Sequence, residues 1–396
     1  MMTQLKLVEY VPQRLPASAL PDWLGQRLWA EYGGVVDVAF PSPKTAVSWQ
    51  LTAQGYAGYI PLDPTLHIQL IPKVAVDNLV YLLAYVYGLD EWRLLAGVQA
   101  AASLPGFYEQ LADLLARRVL RRVRLGVQQQ YVVQERPLSY IRGQLRPDLG
   151  GRPTAQAVLT CRYQEQTAVI PENQLLVYTL GYLARSGLLA GGVQQRVGQA
   201  YRLLRGIVGE PKRPFTVADC QAINYTRLNQ DYQPLHALCR FFLTHTVPTL
   251  PQQGQAQTIP FLVNMAQLYE RFVAIWLQAN LPTGWTLQVQ EQVAVGQDEA
   301  LRFNIDLVLY DPQGQPHLVI DSKYKTPDAP SNPDFNQVVV YAQAKGCQQA
   351  VLVYPEPLPR PLEVTLAGVR VRSLTFSLAG DVAENGRNFL KSLFSP

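Results

Sequence analysis

The segment LRFNIDLVLYDPQGQPHLVIDSKYK, Leu301 to Lys325, carries the pattern of a β-hairpin. In its first half Phe303, Ile305, Leu307 and Leu309 alternate with Asn304, Asp306 and Val308, and Pro312, Gly314 and Pro316 mark the turn. Asp306 therefore points away from the row formed by Ile305 and Leu307. In the second half a period of two puts Asp321 and Lys323 on one face and Ile320 and Ser322 on the other. A carboxylate and an amine thus share a face beside another strand's carboxylate.

Two carboxylates in a mostly apolar sheet repel each other and lose hydration, and a bound divalent cation removes both penalties. Mg²⁺ prefers one or two carboxylates completed by water and phosphate oxygens, which suits Asp306 and Asp321, with the Ser322 backbone carbonyl as a third ligand. Mn²⁺ is the alternative ion. Lys323 would face the scissile phosphate, orient or deprotonate the attacking water, and offset charge on the transition state. The competing structural account is a plain Asp321–Lys323 ion pair on an exposed sheet edge, with Asp306 an ordinary surface residue.

Outward from the hairpin, the last 140 or so residues read helix (Met265 to Leu277), three strands, helix, strand, one or two strands near Val364 to Leu378, and a short final helix. That is an α/β order. A polar linker, Pro248 to Gln257, precedes it and sets a boundary near residue 255. Before the linker the pattern is helical, with helices expected at 107–125, 173–189 and 193–208 and a loop-like stretch from Gln134 to Pro153. Residues 1 to about 75 hold short apolar runs between Gly and Pro, read as strands at 35–40, 47–51 and 66–71. A helix then follows, capped by Asp77 or Asn78 and stopped by Gly88. The expected plan is α+β overall: a β-rich, partner-binding domain at 1–105, a helical middle region at 106–255 and an α/β domain at 256–396.

A chain of 396 residues with 48% hydrophobic and 16% charged residues has apolar surface for more than one core and no signature of wholesale disorder. Its longest near-continuous apolar stretch, Leu79 to Leu89, falls short of the roughly 20 residues that a membrane span needs. The first ten residues hold no apolar run followed by a small-residue cleavage site, so a cytoplasmic location is expected. Cys161, Cys220, Cys239 and Cys347 lack the density of a disulfide framework and are expected reduced and mostly buried. Cys220, His236, Cys239 and His245 match no common zinc spacing, and His236 with Cys239 fits one buried helix side. His67 and His317 read as packed or exposed strand residues. The surplus of 34 basic over 30 acidic residues is too small to argue nucleic-acid binding by itself. Arg117, Arg118, Arg121, Arg122 and Arg124 crowd one helix but do not share one face, leaving a solvated face and a DNA or partner contact both open. No GxxxxGK[ST] is present, so the chain carries no recognisable nucleotide-hydrolysing loop of its own.

Asp306, followed after fourteen residues by Asp321-Ser322-Lys323, resembles the PD-(D/E)XK nuclease motif. Glu270, on the helix of Leu268, Phe272, Ile275 and Trp276, resembles the acidic residue that many of these nucleases carry on their first core helix. Gln337 and Tyr341 resemble the QxxxY element of the RecB-like branch. A longer resemblance, over roughly residues 60 to 345, is to the McrC family. Asn264 to Val273 (NMAQLYERFV) is similar to its Met-Asn-x-Leu-Phe-Glu-x-Phe-Val helix and Asp321 to Lys325 to its Asp-Ala-Lys-Tyr-Lys. Ile71-Pro72-Lys73 leading to Asn78-Leu79, Ile141 to Leu145, and Cys161-Arg162-Tyr163 with Glu165 and Asn173 resemble further landmarks. Ile305 stands where that family usually has proline, and Ser322 where it usually has alanine.

The resemblance implies a restriction-endonuclease-like domain with a mixed central sheet. It also implies a Mg²⁺-dependent DNA endonuclease subunit of a modification-dependent (5-methylcytosine) restriction system, working with a McrB-like AAA+ GTPase hexamer. GTP would enter only through that partner. Asp306 and Asp321 would hold metal, Glu270 would support it, Lys323 would activate water, and Gln337 and Tyr341 would position the site or the DNA. Two other readings stay open: a McrC-like adaptor that activates its partner without cutting, and a PD-(D/E)XK nuclease of repair or another defence system.

Overall fold

The computed structural model describes residues 3–63, 66–88, 103–146, 159–245, 260–295, 301–325 and 327–395. The expected linker at Pro248–Gln257, and Gly150, Gly151 and Pro153 of the loop-like stretch, lie outside them. The chain forms two compact units: Met1–Leu104 together with Phe261–Pro396, and Pro105–Pro260. Among the described residues no helix is long and apolar enough to cross a membrane.

The N-terminal part runs β1 (Thr3–Val8), β2 (Gln13–Pro16), α1 (Asp22–Tyr32), β3 (Val36–Ala39), β4 (Ser48–Ala53), β5 (Tyr56–Pro61), β6 (Leu66–Ile71) and α2 (Val76–Tyr87). Strands β2, β4 and β3 form one small sheet. Its buried alternate residues Trp49 and Leu51 pack with Leu24 and Leu28 of α1, a helix that the apolar pattern did not announce because Trp23 and Trp29 stand 57% and 60% exposed. Helix α2 stops at Gly88, as expected. Its start differs: Ala75 occupies the capping position and no side chain caps it.

In the second unit α3 (Leu104–Leu125), α4 (Pro171–Arg185) and α5 (Gly191–Val208) match the three expected helices, and α6 (Val217–Gln221) and α7 (Gln233–Thr244) add to them. The stretch expected as loop instead contributes β7 (Gln130–Leu138) and β8 (Gln144–Leu145), which flank β9 (Leu159–Thr167) in a three-stranded sheet. Strand β7 is largely exposed, so no inward apolar row marked it as a strand.

The C-terminal part runs β10 (Phe261–Asn264), α8 (Met265–Asn280), β11 (Thr286–Val295), β12 (Leu301–Tyr310), β13 (Pro316–Ser322), α9 (Asn332–Lys345), β14 (Gln349–Tyr354), β15 (Glu363–Leu366), β16 (Val369–Thr375) and α10 (Val382–Leu393). Strand β10 pairs with β5, in a sheet ordered β1-β6-β5-β10. The close crossing needs Gly58, whose φ is +145° and where a Cβ would lie 2.0 Å from the Phe261 carbonyl oxygen.

The remaining strands make a mixed six-stranded sheet ordered β11-β12-β13-β14-β16-β15. Strands β13, β14 and β16 run parallel and the outer pairs antiparallel. The β12–β13 turn closes on Asp311, whose Oδ1 accepts from the amides of Gln313 and Gln315, and on Gly314 at φ +76°. Helix α9 covers one face through Val338, Val339 and Ala342. Phe376, which follows β16, packs against Phe272 and Trp276 of α8 and against Phe389 of α10, with ring centroids 5.0–5.2 Å apart.

Candidate functional site

Val308 of β12 and Val319 of β13 are paired across the strands and belong to the cluster under α9. Asp306 lies two residues before the first and Asp321 two after the second, so the pleat continues that row from apolar core into two carboxylates. Asp321 is fully buried, and its backbone is paired with Leu352 of β14. Pairing runs on past Ser322, because the Lys323 amide donates to the Val353 carbonyl at 2.8 Å. The main chain that carries Asp321, Ser322 and Lys323 is therefore held by a neighbouring parallel strand.

Lys323 Nζ donates to Asp321 Oδ1 at 3.1 Å, stands 2.8 Å from Oδ2, and donates to Gln337 Oε1 at 3.1 Å. Gln337 Nε2 in turn donates to the Tyr341 hydroxyl at 2.9 Å, and the Tyr341 ring meets the edge of Phe303 with centroids 5.9 Å apart. Helical spacing of four sets Gln337 and Tyr341 one above the other on α9, which is what this relay requires.

Glu270 of α8 reaches the same place through a residue that the sequence did not single out. Gln290 Nε2 donates to Glu270 Oε1 and, at 3.4 Å, to Asp306 Oδ1, while Asn304 Nδ2 donates to Gln290 Oε1. Gln290 sits in β11 with φ +53°, a left-handed kink between Val289 and Glu291, which pair with Leu307 and Ile305 on either side of Asp306. A glutamine in a strand pattern gives no sign of such a kink. Glu9 also escaped notice: it is fully buried, and its Oε2 accepts from the Tyr324 hydroxyl at 3.2 Å and the Lys73 amide at 3.1 Å.

Burial is the main force on these acids. It lifts Asp321 above the ordinary carboxylate range and Asp306 adds to the lift, while the Lys323 charge and hydrogen bond oppose it without winning. Burial also lifts Glu270, helped by the charge of Asp306 and opposed by Gln290. Lys323 is held above its ordinary value: its burial works the other way, and the charge of Asp321 overrides that. The site is short of positive charge around Asp321.

Asp321 Oδ2 makes the same point geometrically, since it is buried and has no hydrogen-bond partner among the described residues despite its proximity to Lys323 Nζ. A buried carboxylate oxygen without a formal hydrogen bond, beside a second carboxylate, fits a divalent cation that takes Asp321 and Asp306, with Glu270 behind them. Among the described residues no three His, Cys, Asp or Glu side chains close into a metal cage. A site of Mg²⁺ type, completed by water and phosphate oxygens, does not need one.

The cysteines and histidines that the sequence brought forward are packed. All four cysteines are free and buried. His236 Nε2 lies 3.0 Å from the Glu172 carbonyl oxygen and Nδ1 2.9 Å from the Tyr225 hydroxyl. His67 stacks on Tyr59 and His317 meets the face of Trp285. Arg117 pairs with Asp113 at 2.6 Å; Arg122 pairs with Asp231 at 2.9 Å and lies over the Tyr232 ring. Arg121 and Arg124 are exposed.

No curated protein matches the chain. A chain of the refined half-complex from a tetradecameric assembly of Thermococcus gammatolerans McrB AAA+ hexamers with bound McrC shares the fold, at a TM-score of 0.58 and 17% identity over 99% of this chain and 100% of that one. A chain of the cryo-EM structure of the Thermococcus gammatolerans McrBC complex aligns at a TM-score of 0.46 and 20% identity, over 71% of this chain and 89% of that one. Residues 51–355 match the family model described as McrBC 5-methylcytosine restriction system component. With more than half of its length under that model, the chain belongs to the family of McrBC 5-methylcytosine restriction system components.

Proposed function

We propose that this chain is the DNA endonuclease subunit of a modification-dependent restriction system, hydrolysing phosphodiester bonds with Mg²⁺ and acting with, and stimulating, a McrB-like AAA+ GTPase. The observation that carries the reading is the fully buried Asp321, flanked by Asp306 and by a lysine that contacts it and is held in place from α9. A structural ion pair on an exposed edge would not bury its carboxylate completely. The family membership and the McrB AAA+ hexamers of the Thermococcus gammatolerans assembly support the partner and the cytoplasmic setting.

Asp306 and Asp321 would hold the ion, with the Ser322 carbonyl and Glu270 as further support. When bound, Mg²⁺ supplies Lewis-acid polarisation and a water of lowered pKa. The protein's own part is done by Lys323. Fixed between Asp321 and Gln337, its ammonium is positioned to orient the attacking water and to offset charge that builds on the phosphorus-bound oxygens. Gln337 holds that amine, and Tyr341 holds Gln337, so both act by positioning rather than on the substrate. Gln290 keeps Glu270 and Asp306 apart from direct collision by donating to both.

The test is plasmid cleavage in Mg²⁺ by the full chain, alone and with a McrB-like GTPase and GTP, for wild type, Asp321→Asn and Lys323→Ala. Either substitution should cost about 10²–10³-fold or more in rate, the usual loss on removing a transition-state stabiliser. GTPase stimulation should survive both. Unchanged cleavage in Asp321→Asn rejects this site, while stimulation without any wild-type cleavage leaves an adaptor.

A further inference from the structure

Three parallel strands, β13, β14 and β16, end side by side, and open α/β sheets bind ligands in the crevice beyond such carboxyl ends. Here that crevice is a cavity of about 310 Å³, within the range of roughly 300–1,000 Å³ typical of small-molecule sites. Its polar lining is Tyr10, Lys73, Asn78, Tyr324, Lys325 and Glu356. Two sequence landmarks that the cleavage chemistry does not use, Ile71-Pro72-Lys73 with Asn78 and the Tyr324-Lys325 pair that follows Lys323, are therefore walls of one cavity.

Most of its polar groups are already engaged. Tyr324 donates to Glu9, Asn78 donates to the Leu378 carbonyl, and Lys325 pairs with Asp334. Lys73 is different: its ammonium lies over the Tyr10 ring, 5.3 Å from the centroid, and its charge acts on the buried Glu9 without an ion-pair contact among the described residues. Its backbone is fixed by the buried Glu9. Beside it, Val74, Ala75 and Asn78 bring the start of α2 to the cavity, and no side chain caps that twelve-residue helix. Its first amides lack a side-chain cap, and Asp77 is the acid in its first turn. The opposite wall, Pro355, Leu378 and Ala379, is apolar. Cation and helix amides on one side, an apolar slot on the other, and a carboxylate acceptor in Glu356 match a phosphate joined to a flat heteroaromatic ring that bears amino groups.

We infer that this cavity binds one nucleotide of the DNA strand being cut, its phosphate at Lys73 and the uncapped amides of α2 and its base against the Pro355–Leu378 wall. The inference rests on the nuclease reading and adds a strand-holding pocket two residues along the chain from Lys323. Lys73 and Ala75 are both exposed, so Lys73→Ala and Ala75→Trp alter the cavity at little cost to folding. The probe is a short fluorescein-labelled single-stranded oligodeoxynucleotide bound to the full chain in Ca²⁺ over a salt series, with Asp321→Asn and plasmid cleavage run in parallel. Lys73→Ala should weaken binding about fivefold and make its salt dependence shallower by about one counterion. Ala75→Trp should weaken binding by filling the slot, with the salt slope unchanged. Both variants binding like wild type, in a protein whose cleavage still requires Asp321, overturns the pocket alone. Wild type that neither binds nor cuts DNA overturns the pocket and the nuclease reading together.

Discussion

Mild acid should loosen the second unit through one buried imidazole. His236 on α7 is 2% exposed, and burial pushes its pKa down from an ordinary 6.5 to about 4, against a partial restoring effect of the Glu172 carbonyl. The neutral ring satisfies both neighbours: Nε2–H donates to that carbonyl and Nδ1 accepts from Tyr225. Because the folded value is depressed, the unfolded chain takes up the proton first, so stability is present above pH 6.5 and is lost as pH falls toward 4. A shift of this size corresponds to about 3 kcal/mol in full, of which about 2 kcal/mol is gone by pH 5.

The assay is hydrogen exchange of peptides from Gln233–Thr244 in the full chain at pH 8 and pH 5, corrected for the intrinsic pH dependence of exchange. Protection should fall about thirtyfold, the equivalent of about 2 kcal/mol. His236→Gln keeps a donor toward Glu172 and does not titrate, so its protection should change far less over the same interval. Equal losses in the two proteins would refute the reasoning and shift the effect to other acid-sensitive groups, such as the buried His245.

Three further outcomes are expected. Tyr341→Phe removes the hydroxyl that accepts from Gln337 and should lower plasmid cleavage by about three- to tenfold with Mg²⁺ affinity unchanged, a neutral hydrogen bond being worth about 1 kcal/mol; an unaltered rate would remove Tyr341 from the relay. Since burial raises Asp321 and Glu270, Mg²⁺ binding near pH 7 should release protons and tighten as pH rises; isothermal titration in two buffers of different ionisation enthalpy checks this, and identical heats would contradict it. Gly58→Ala places a methyl on the Phe261 carbonyl oxygen at a φ of +145° and should cost about 1–3 kcal/mol in urea unfolding, whereas a neutral result would mean that the β5–β10 crossing gives way easily.

What the sequence made legible follows from how each residue signals itself. The β12–β13 hairpin and its Asp306, Asp321 and Lys323 could be read because apolar alternation, turn residues and charge sit within one short segment. Gln337 and Tyr341 were legible as a pair at helical spacing, but only resemblance tied them to Lys323. Gln290 was not, because its role depends on a left-handed backbone that local pattern does not encode for glutamine. Strand β7 was missed because its side chains, Tyr131 at 68% exposed among them, lie in water and leave no inward row. The pairing of β10 with β5 joins residues some two hundred positions apart and is decided by packing, beyond the reach of any local window.

The same local argument explains why the chemistry gathers where it does. Asp321 follows the last β12 partner, Ile320, by one residue and is itself paired with Leu352 of β14, so its backbone is fixed before its side chain does anything. A carboxylate buried without full hydrogen bonding is unfavourable by about 1–3 kcal/mol or more, and a flexible loop would escape that cost by swinging the group into water. A central strand cannot swing. The cost is carried by the apolar cluster under α9, which also anchors the helix that delivers Gln337 to Lys323. Immediately beyond Lys323 the ladder ends, and Tyr324 and Lys325 leave the sheet to line the cavity at the strand ends. The rigid carboxylate of Asp321 and the cavity lining that begins at Tyr324 are thus only three positions apart, which lets the loops around the strand ends vary without disturbing Asp321.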